Sequence, residues 1–208
     1  MGVYREIILP KILDLMLGQP DFQKLRHQLL SRAQGDVLEL GLGTGLSLEH
    51  YPKSVKRLYA IDPSVGSRKV AYQRAKALGL DLEYLDSENL EHLSIPKASI
   101  DTLVSCFTLC TIPDVKKTLV DLRAFLNPNV QFLFLEHGRA QEASVSKWQD
   151  RLNPIQKTLF AGCHLNRDIS GIISDAGYTV KDLKLSYVPG PKIASFMYSG
   201  YASIYGKT

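Results

Sequence analysis

The chain has 208 residues, 45% hydrophobic and 22% charged, which is enough for one full core and ordinary for a globular protein. Its formal net charge of +4 is mild and lacks the concentrated basic footprint of a dedicated nucleic-acid binder, so no nucleic-acid partner is expected. Three cysteines, Cys106, Cys110 and Cys163, do not make a disulfide framework; "CFTLC" has no nearby third thiol, so buried free thiols and no metal are expected.

Residues 1–35 read as an amino-terminal helical lid. Ile8, Leu9, Ile12, Leu13 and Met16 fall on one side of a helix whose first turn accommodates Pro10. The same stripe suits weak peripheral contact with a membrane surface. No apolar run approaches the roughly 20 residues that span a bilayer, and the start lacks a signal-peptide core. Glu6 stands where myristoylation wants Ser or Thr. A cytoplasmic protein, in places peripheral to the inner face of the membrane, is the expectation. A second helix is expected over 21–33, after Pro20 and before Gly35.

From Asp36 the chain alternates strands and helices. "DVLEL" reads as a strand, and a helix is expected to open at Leu46–His50. "RLYAI" is the next strand, followed by a helix from Ser64 to Leu78 that Gly79 ends. Within that helix Arg68, Lys69, Arg74 and Lys76 read as a solvated face. "LEYL" and "DTLVSCF" are strands, and a helix over 114–126 precedes the strand "VQFLFLE". Residues 144–177 look mostly helical, and "YTVKDLKLSY" and "FMYSGYASI" are two late strands with no helix between them. This order predicts one α/β domain over 1–208, its core at 36–208. The sheet is mostly parallel with helices on both faces, and the last two strands pair antiparallel at one edge.

Gly41, Gly43 and Gly45 follow the first strand at the end where open α/β sheets bind ligands. No Gly-Lys-Ser/Thr follows, which excludes a P-loop, and Leu46 occupies the sixth place of the dinucleotide fingerprint. Asp62 ends the second strand, where a carboxylate can accept ribose hydroxyls, and Asp86, Ser87 and Glu88 follow the third, where they can meet an adenine edge. Amides at the helix start near Leu46 suit an anionic group, and Glu39 suits an amino group. Ribose, adenine, amine and carboxylate together describe S-adenosylmethionine better than NAD.

These residues resemble the class I S-adenosylmethionine-dependent methyltransferases, with "VLELGLGTG", "AIDPS", "LDSE" and "DTLVSCFTLCTIPD" in order, the last as in the ubiquinone/menaquinone-biosynthesis-like, or type 11, branch. "NPNVQF" departs from the Pro-Gly-Gly usual in that branch. The resemblance implies a Rossmann-like seven-stranded sheet and S-adenosylmethionine as cofactor, with S-adenosylhomocysteine as product. By it, Gly41, Leu42 and Gly43 line the methionine end and Asp62 binds the ribose, flanked by Pro63 and Ser64. Asp86, Ser87 and Glu88 face the adenine, and Cys106 and Phe107 lie beside the cofactor. Tyr4 covers the sulfonium or is an ordinary packing tyrosine.

No Asn/Asp-Pro-Pro-aromatic tetrapeptide and no Pro-Cys pair follows the fourth strand, which disfavours base methylation and leaves a small or lipid-like acceptor. Glu136 and His137 end the fifth strand; His137 is a base, an acceptor-orienting group or a histidine satisfying a carbonyl. Cys163, His164, Asn166 and Arg167 either wall the substrate pocket or form a helix cap with a surface salt pair. "LEHGRA", Trp148 and "GCHLNR" resemble small bacterial relatives of the alkyl-thiol methyltransferases, which implies thiol acceptors. "GTGLSL" and the amphipathic start also resemble bacterial phosphatidylethanolamine N-methyltransferases, and a non-catalytic NAD- or cofactor-binding module is the more remote reading.

Overall fold

β1 (Gly35–Leu40) is buried along all but its first residue, as a strand flanked by parallel neighbours and covered on both faces must be. The computed structural model describes residues 2–204. In it β1 is an inner strand, third in a seven-stranded sheet ordered β3-β2-β1-β4-β5-β7-β6, with β2 at Val55–Ile61, β3 at Leu82–Tyr84, β4 at Ile100–Cys106 and β5 at Leu126–His137. These five strands are parallel. β6 (Tyr178–Tyr187) and β7 (Phe196–Ile204) are the expected late pair, but β7 inserts between β5 and β6 and runs antiparallel to both, leaving β6 at the edge. The order reverses between β1 and β4, which opens a crevice at their carboxyl ends.

One apolar cluster packs Leu38, Leu40, Leu103, Phe132 and Phe134 beneath α4 (Val115–Leu122) and α6 (Ile169–Asp175). The other packs Val37, Val104, Leu133 and Leu135 against α2 (Pro20–Leu30) and α3 (Val65–Leu78). α3 begins at a Ser64 cap and stops at Gly79, as the sequence requires. α4 is capped by Asp114 and ends at Leu122, with one 3-10 turn carrying the chain to Phe125. α5 (Ala143–Leu159) and α6 are separated by an irregular stretch, 160–168, so the region is less continuous than its composition implies.

Two expectations fail for local reasons. No α-helix opens at Leu46: only a 3-10 turn forms at Leu48–His50, where the amide of Leu48 donates to Gly45 and that of His50 to Ser47. Of the amides assigned there to an anionic ligand, that of Leu48 is therefore engaged within the turn. The apolar stripe of α1 (Leu9–Leu17), which follows a π-helical turn at Tyr4–Ile8, also splits. Leu9 is buried and Leu13 and Leu17 are half-buried on the inward side, while Ile8, Ile12, Leu15 and Met16 are exposed. No described helix is long and apolar enough to cross a membrane.

Candidate active site

The glycine turn after β1 is where the crevice begins. Gly41 and Gly43 both hold left-handed backbone, with φ of 65° and 58°. A Cβ on Gly41 would collide with the side chain of Thr108, so this glycine lets the β1 and β4 loops touch. A Cβ on Gly43 would meet only the Gly41 carbonyl, 4.0 Å away, and would instead project into space a ligand can use. Gly45 lies against Ala71 of α3. The three glycines thus serve three different neighbours.

A cavity of about 100 Å³ adjoins this turn, lined by Gly41, Leu42, Gly43, Arg26, Cys106 and Phe107 among others. The Asp62 carboxylate stands behind it, with Oδ2 accepting from the Gly43 amide at 2.7 Å and Oδ1 from the Ser64 amide at 2.8 Å. Burial pushes its pKa up, opposed by those two amides. Each oxygen keeps lone-pair capacity for a hydroxyl donor. Ser64 also caps α3, and Pro63 is exposed beside it.

Glu39 does not line the cavity. Its fully buried carboxylate accepts from the hydroxyls of Ser47 and Tyr51, each at 2.7 Å, and burial raises its pKa. Ser47 reaches the cavity in its place.

Arg26 was not legible as a site residue, yet it is buried on the cavity wall, 5.2 Å from the Phe107 ring centroid. Its Nη1 donates to the Leu17 carbonyl at 2.6 Å, while its buried Nε has no partner. A buried guanidinium with a spare donor suits a carboxylate. Together with the Gly43 cradle and the Asp62 oxygens, the donor set fits an amino-acid nucleoside such as S-adenosylmethionine.

Asp86, Ser87 and Glu88 lie apart from this cavity. Glu88 donates its amide to Asp86 at 2.8 Å, and Ser87 and Glu88 line a separate cleft with Lys117 and Asp121. Tyr4 donates its hydroxyl to the Leu159 carbonyl at 2.7 Å. Two basic residues of the supposed solvated face of α3 are engaged: Arg74 donates to both Asp14 oxygens at 2.8 Å and to the Thr44 carbonyl, and Arg68 donates to the Asp62 carbonyl. Glu6 accepts from Ser64 Oγ at 3.1 Å and from the Gly66 amide at 2.8 Å. The amino-terminal helix is therefore pinned across the glycine turn and α3.

A second cavity, of about 460 Å³ and largely apolar, adjoins the first. Leu13, Leu17 and Phe107 line both. Phe107 has a left-handed φ of 60°, a strain of roughly 1–3 kcal/mol that marks a constrained position, and its ring packs edge-on against Phe22 at 5.6 Å. His137, Cys110 and Cys163 lie together on the cavity's far wall, with Cys163 Sγ 3.1 Å from His137 Nε2 and 3.6 Å from Cys110 Sγ. Burial opposes protonation of His137, but the sulfur contact outweighs it and its pKa is raised.

The other carboxyl-terminal candidates face elsewhere. His164 contacts Asn153 at 3.4 Å, and Asn166 donates to Asp150 at 2.8 Å. Arg167 forms no salt pair among the described residues: it donates to the carbonyls of Leu109, Ile112 and Pro113 and so ties the β4 loop to the stretch before α6, whose cap is Asp168. Glu136 is likewise buried away from the cleft mouth, accepting from Ser105 Oγ at 2.8 Å and from the amides of Thr108 and Leu109 at 2.9 and 3.1 Å.

Residues 38–134 match the family model described as a methyltransferase domain. The chain is 28% identical over 183 residues to the mitochondrial methyltransferase OMS1 of Saccharomyces cerevisiae, covering 79% of this chain and 38% of that protein. It is 29% identical over 161 residues to the thiol S-methyltransferase TMT1B of Rattus norvegicus, covering 74% of this chain and 64% of that one. The chain thus spans less than two thirds of these relatives. A phosphatidylethanolamine N-methyltransferase of Cereibacter sphaeroides matches at 25% identity over 142 residues, 68% of each chain. Among solved structures, a SAM-dependent methyltransferase from Aquifex aeolicus aligns with a TM-score of 0.63 and 20% identity over 94% of this chain and 98% of that one, which carries the fold.

Proposed function

We propose that this chain, whose core is a class I S-adenosylmethionine-dependent methyltransferase domain, transfers a methyl group to a small apolar acceptor held in the larger cavity, with thiols as the acceptor class. The observation that carries this reading is the shared wall. The cavity beside the glycine turn and the apolar cavity meet at Phe107, so a donor in one and an acceptor in the other can approach in line.

S-adenosylmethionine supplies an activated methyl on a sulfonium. The remaining work falls to the protein: Asp62, held by the Gly43 amide, would take the donor's ribose, the Gly43 turn its methionine end and Arg26 its carboxylate, while the apolar walls would exclude water. Bound there, the donor would supply a methyl carbon to which the acceptor sulfur bonds as the bond to the donor sulfur breaks, that bond's electron pair staying on the donor sulfur. The acceptor's thiol proton passes to solvent beforehand, so that a thiolate is the nucleophile. His137 is the acceptor-orienting group at the polar end of the cavity. Residues 1–35 act as a lid. The cofactor-side cavity is smaller than the roughly 300 Å³ of a ligand site, so this lid opens to admit the donor.

The test is a labelled-methyl transfer assay across thiol, amine, phenol and phospholipid panels. Transfer confined to thiols supports the reading, and no transfer to any thiol sinks it. A second reading, a lipid acceptor reached from a membrane surface, is favoured by the exposed Leu15 and Met16, which also line the larger cavity. It predicts flotation with anionic vesicles and transfer to phosphatidylethanolamine.

A further inference from the structure

Cys110, His137 and Cys163 come from three separate segments, and their donor atoms all lie within 4.8 Å of one another. Cys110 belongs to the loop after β4, His137 is the last residue of β5, and Cys163 follows α5. "CFTLC" alone carried no metal signature, because the donors that complete this group stand 27 and 53 positions beyond Cys110 (137 − 110 and 163 − 110).

The backbone holds the three in place. The His164 amide donates to the Cys110 carbonyl at 2.8 Å, joining the segments that carry the two sulfurs. Arg167 clamps the same loop through the Ile112 carbonyl at 2.7 Å. Glu136, next to His137, accepts from the Leu109 amide at 3.1 Å and the Cys110 amide at 3.4 Å. Ala161 (φ 51°) and Gly162 (φ 97°) form the left-handed turn that delivers Cys163. His137 Nδ1 is buried without a partner, so Nε2 carries the ring's polar contact and is aimed at the sulfurs.

Two of the three separations lie near those of a zinc ligand polyhedron, and the third pair, Cys110 Sγ and His137 Nε2, lies within 4.8 Å. Bonds of ~2.3 Å to sulfur and ~2.0–2.1 Å to nitrogen, at tetrahedral angles, separate two sulfurs by about 3.8 Å and a sulfur and a nitrogen by about 3.6 Å. The observed separations are 3.6 Å between the sulfurs and 3.1 Å from Cys163 Sγ to His137 Nε2. Two thiolates and an imidazole are also the soft and borderline donors that zinc prefers. With both sulfurs ionised the ion's charge is cancelled, as a largely apolar cavity demands. Three protein ligands and one further position are the pattern of a reactive zinc site, and all three residues line the cavity from which a fourth ligand would come.

We propose that Cys110, His137 and Cys163 bind Zn²⁺, and that the remaining coordination position takes the acceptor's sulfur. This second part rests on the methyl-transfer reading above. Zinc binds thiolate and releases the thiol proton to solvent, which readies the acceptor without a general base.

The experiment uses the full chain purified without chelator under reducing conditions. Zinc is measured by mass spectrometry, and Co²⁺ is then exchanged in as an optical probe. Stoichiometric zinc and a thiolate-to-cobalt charge-transfer band are expected in the wild type. Cys110→Ser and Cys163→Ser should each weaken zinc by more than the ~10–100-fold that loss of an outer-shell partner costs, while Arg167→Lys falls in that range. Binding of S-adenosylhomocysteine by calorimetry should persist in Cys163→Ser, which shows that the variant is folded.

Absence of zinc and of the charge-transfer band in wild-type protein that still binds S-adenosylhomocysteine overturns the site. So does unchanged zinc affinity in Cys163→Ser, or a quantitative Cys110–Cys163 disulfide in the reduced preparation. Thiol methylation at full rate after zinc is stripped overturns the acceptor role. Bound zinc with no methyl transfer to any thiol leaves the metal site standing and removes the methyl-transfer reading instead.

Discussion

The Asp62 carboxylate and the Gly43 amide, 19 positions apart in the chain, meet at 2.7 Å and lock the end of β2 to the turn after β1. That contact fixes the carboxylate's direction while leaving lone pairs for a ligand. Charge-assisted hydrogen bonds contribute about 1.5–3 kcal/mol each, so losing the pair to ribose in Asp62→Ala should weaken S-adenosylhomocysteine binding by ~100-fold or more. Calorimetry reads it directly, and an unchanged affinity would overturn the assignment of this carboxylate.

Gly41→Ala and Gly43→Ala should fail in different ways. At Gly41 the new methyl collides with Thr108, adding a clash to left-handed strain of roughly 1–3 kcal/mol, so the melting temperature should fall by at least ~4 °C. At Gly43 there is strain without collision. Stability there should fall less, and cofactor affinity should fall more than in Gly41→Ala relative to the stability lost. Thermal melts with cofactor titrations separate the two, and identical profiles would reject the distinction.

Glu136→Gln tests an anchor. Oε1 of the native carboxylate accepts from the Ser105 hydroxyl and from the amides of Thr108 and Leu109, and Oε2 from the Cys110 amide, so a carboxamide that keeps its oxygen in the first place turns its NH2 toward the Cys110 amide, which also donates. A loss of about 1–3 kcal/mol is expected in denaturant unfolding. A variant as stable as the parent would show that the β4 loop does not depend on this side chain.

Acid should release the amino-terminal helix. The Arg74 hydrogen bond lowers the Asp14 pKa, with burial opposing it and the Thr44 hydroxyl and the Arg74 charge assisting. A carboxyl depressed in the folded state contributes stability that is fully present above its ordinary value of ~3.9 and is lost as pH falls through the lower folded value. Hydrogen exchange of the α1 amides, corrected for intrinsic rates, should therefore accelerate below about pH 4. Asp14→Asn should show the faster exchange at neutral pH already. Equal protection in parent and variant would assign the pinning to Glu6 instead.

His137→Ala should bind S-adenosylhomocysteine normally, because the imidazole lines only the larger cavity. Methyl transfer should slow by ~100-fold or more, the range attributed to a positioned side chain at a reacting group. Full transfer activity would return this histidine to a packing role.

The succession of strands along the chain and the glycine turn were legible because both rest on local signals: buried apolar runs, Gly79 as a stop, and Ser64 and Asp114 as caps. The absent helix at Leu46 was not, since the 3-10 turn that replaces it depends on Ser47 reaching across to Glu39. Arg26 was hidden for a related reason. A cation in an amphipathic helix reads as exposed until the chain folds it beneath Phe107. The sulfur–imidazole group escaped notice because its members meet only through the sheet's topology, and Arg74 because its partner lies 60 positions away.

Leu13 and Leu17 belong to both cavities, so a single helix roofs the donor and the acceptor alike. Two ligands beneath one roof share a door. With the proposed lid as the way in, departure of the spent donor and of the methylated product would wait on the same movement, and turnover would carry one conformational gate where two independent exits would carry two. In such an arrangement added viscogen slows steady-state cycling while leaving a single burst of transfer untouched, and any substitution that loosens the roof shifts the Michaelis constants of both ligands together.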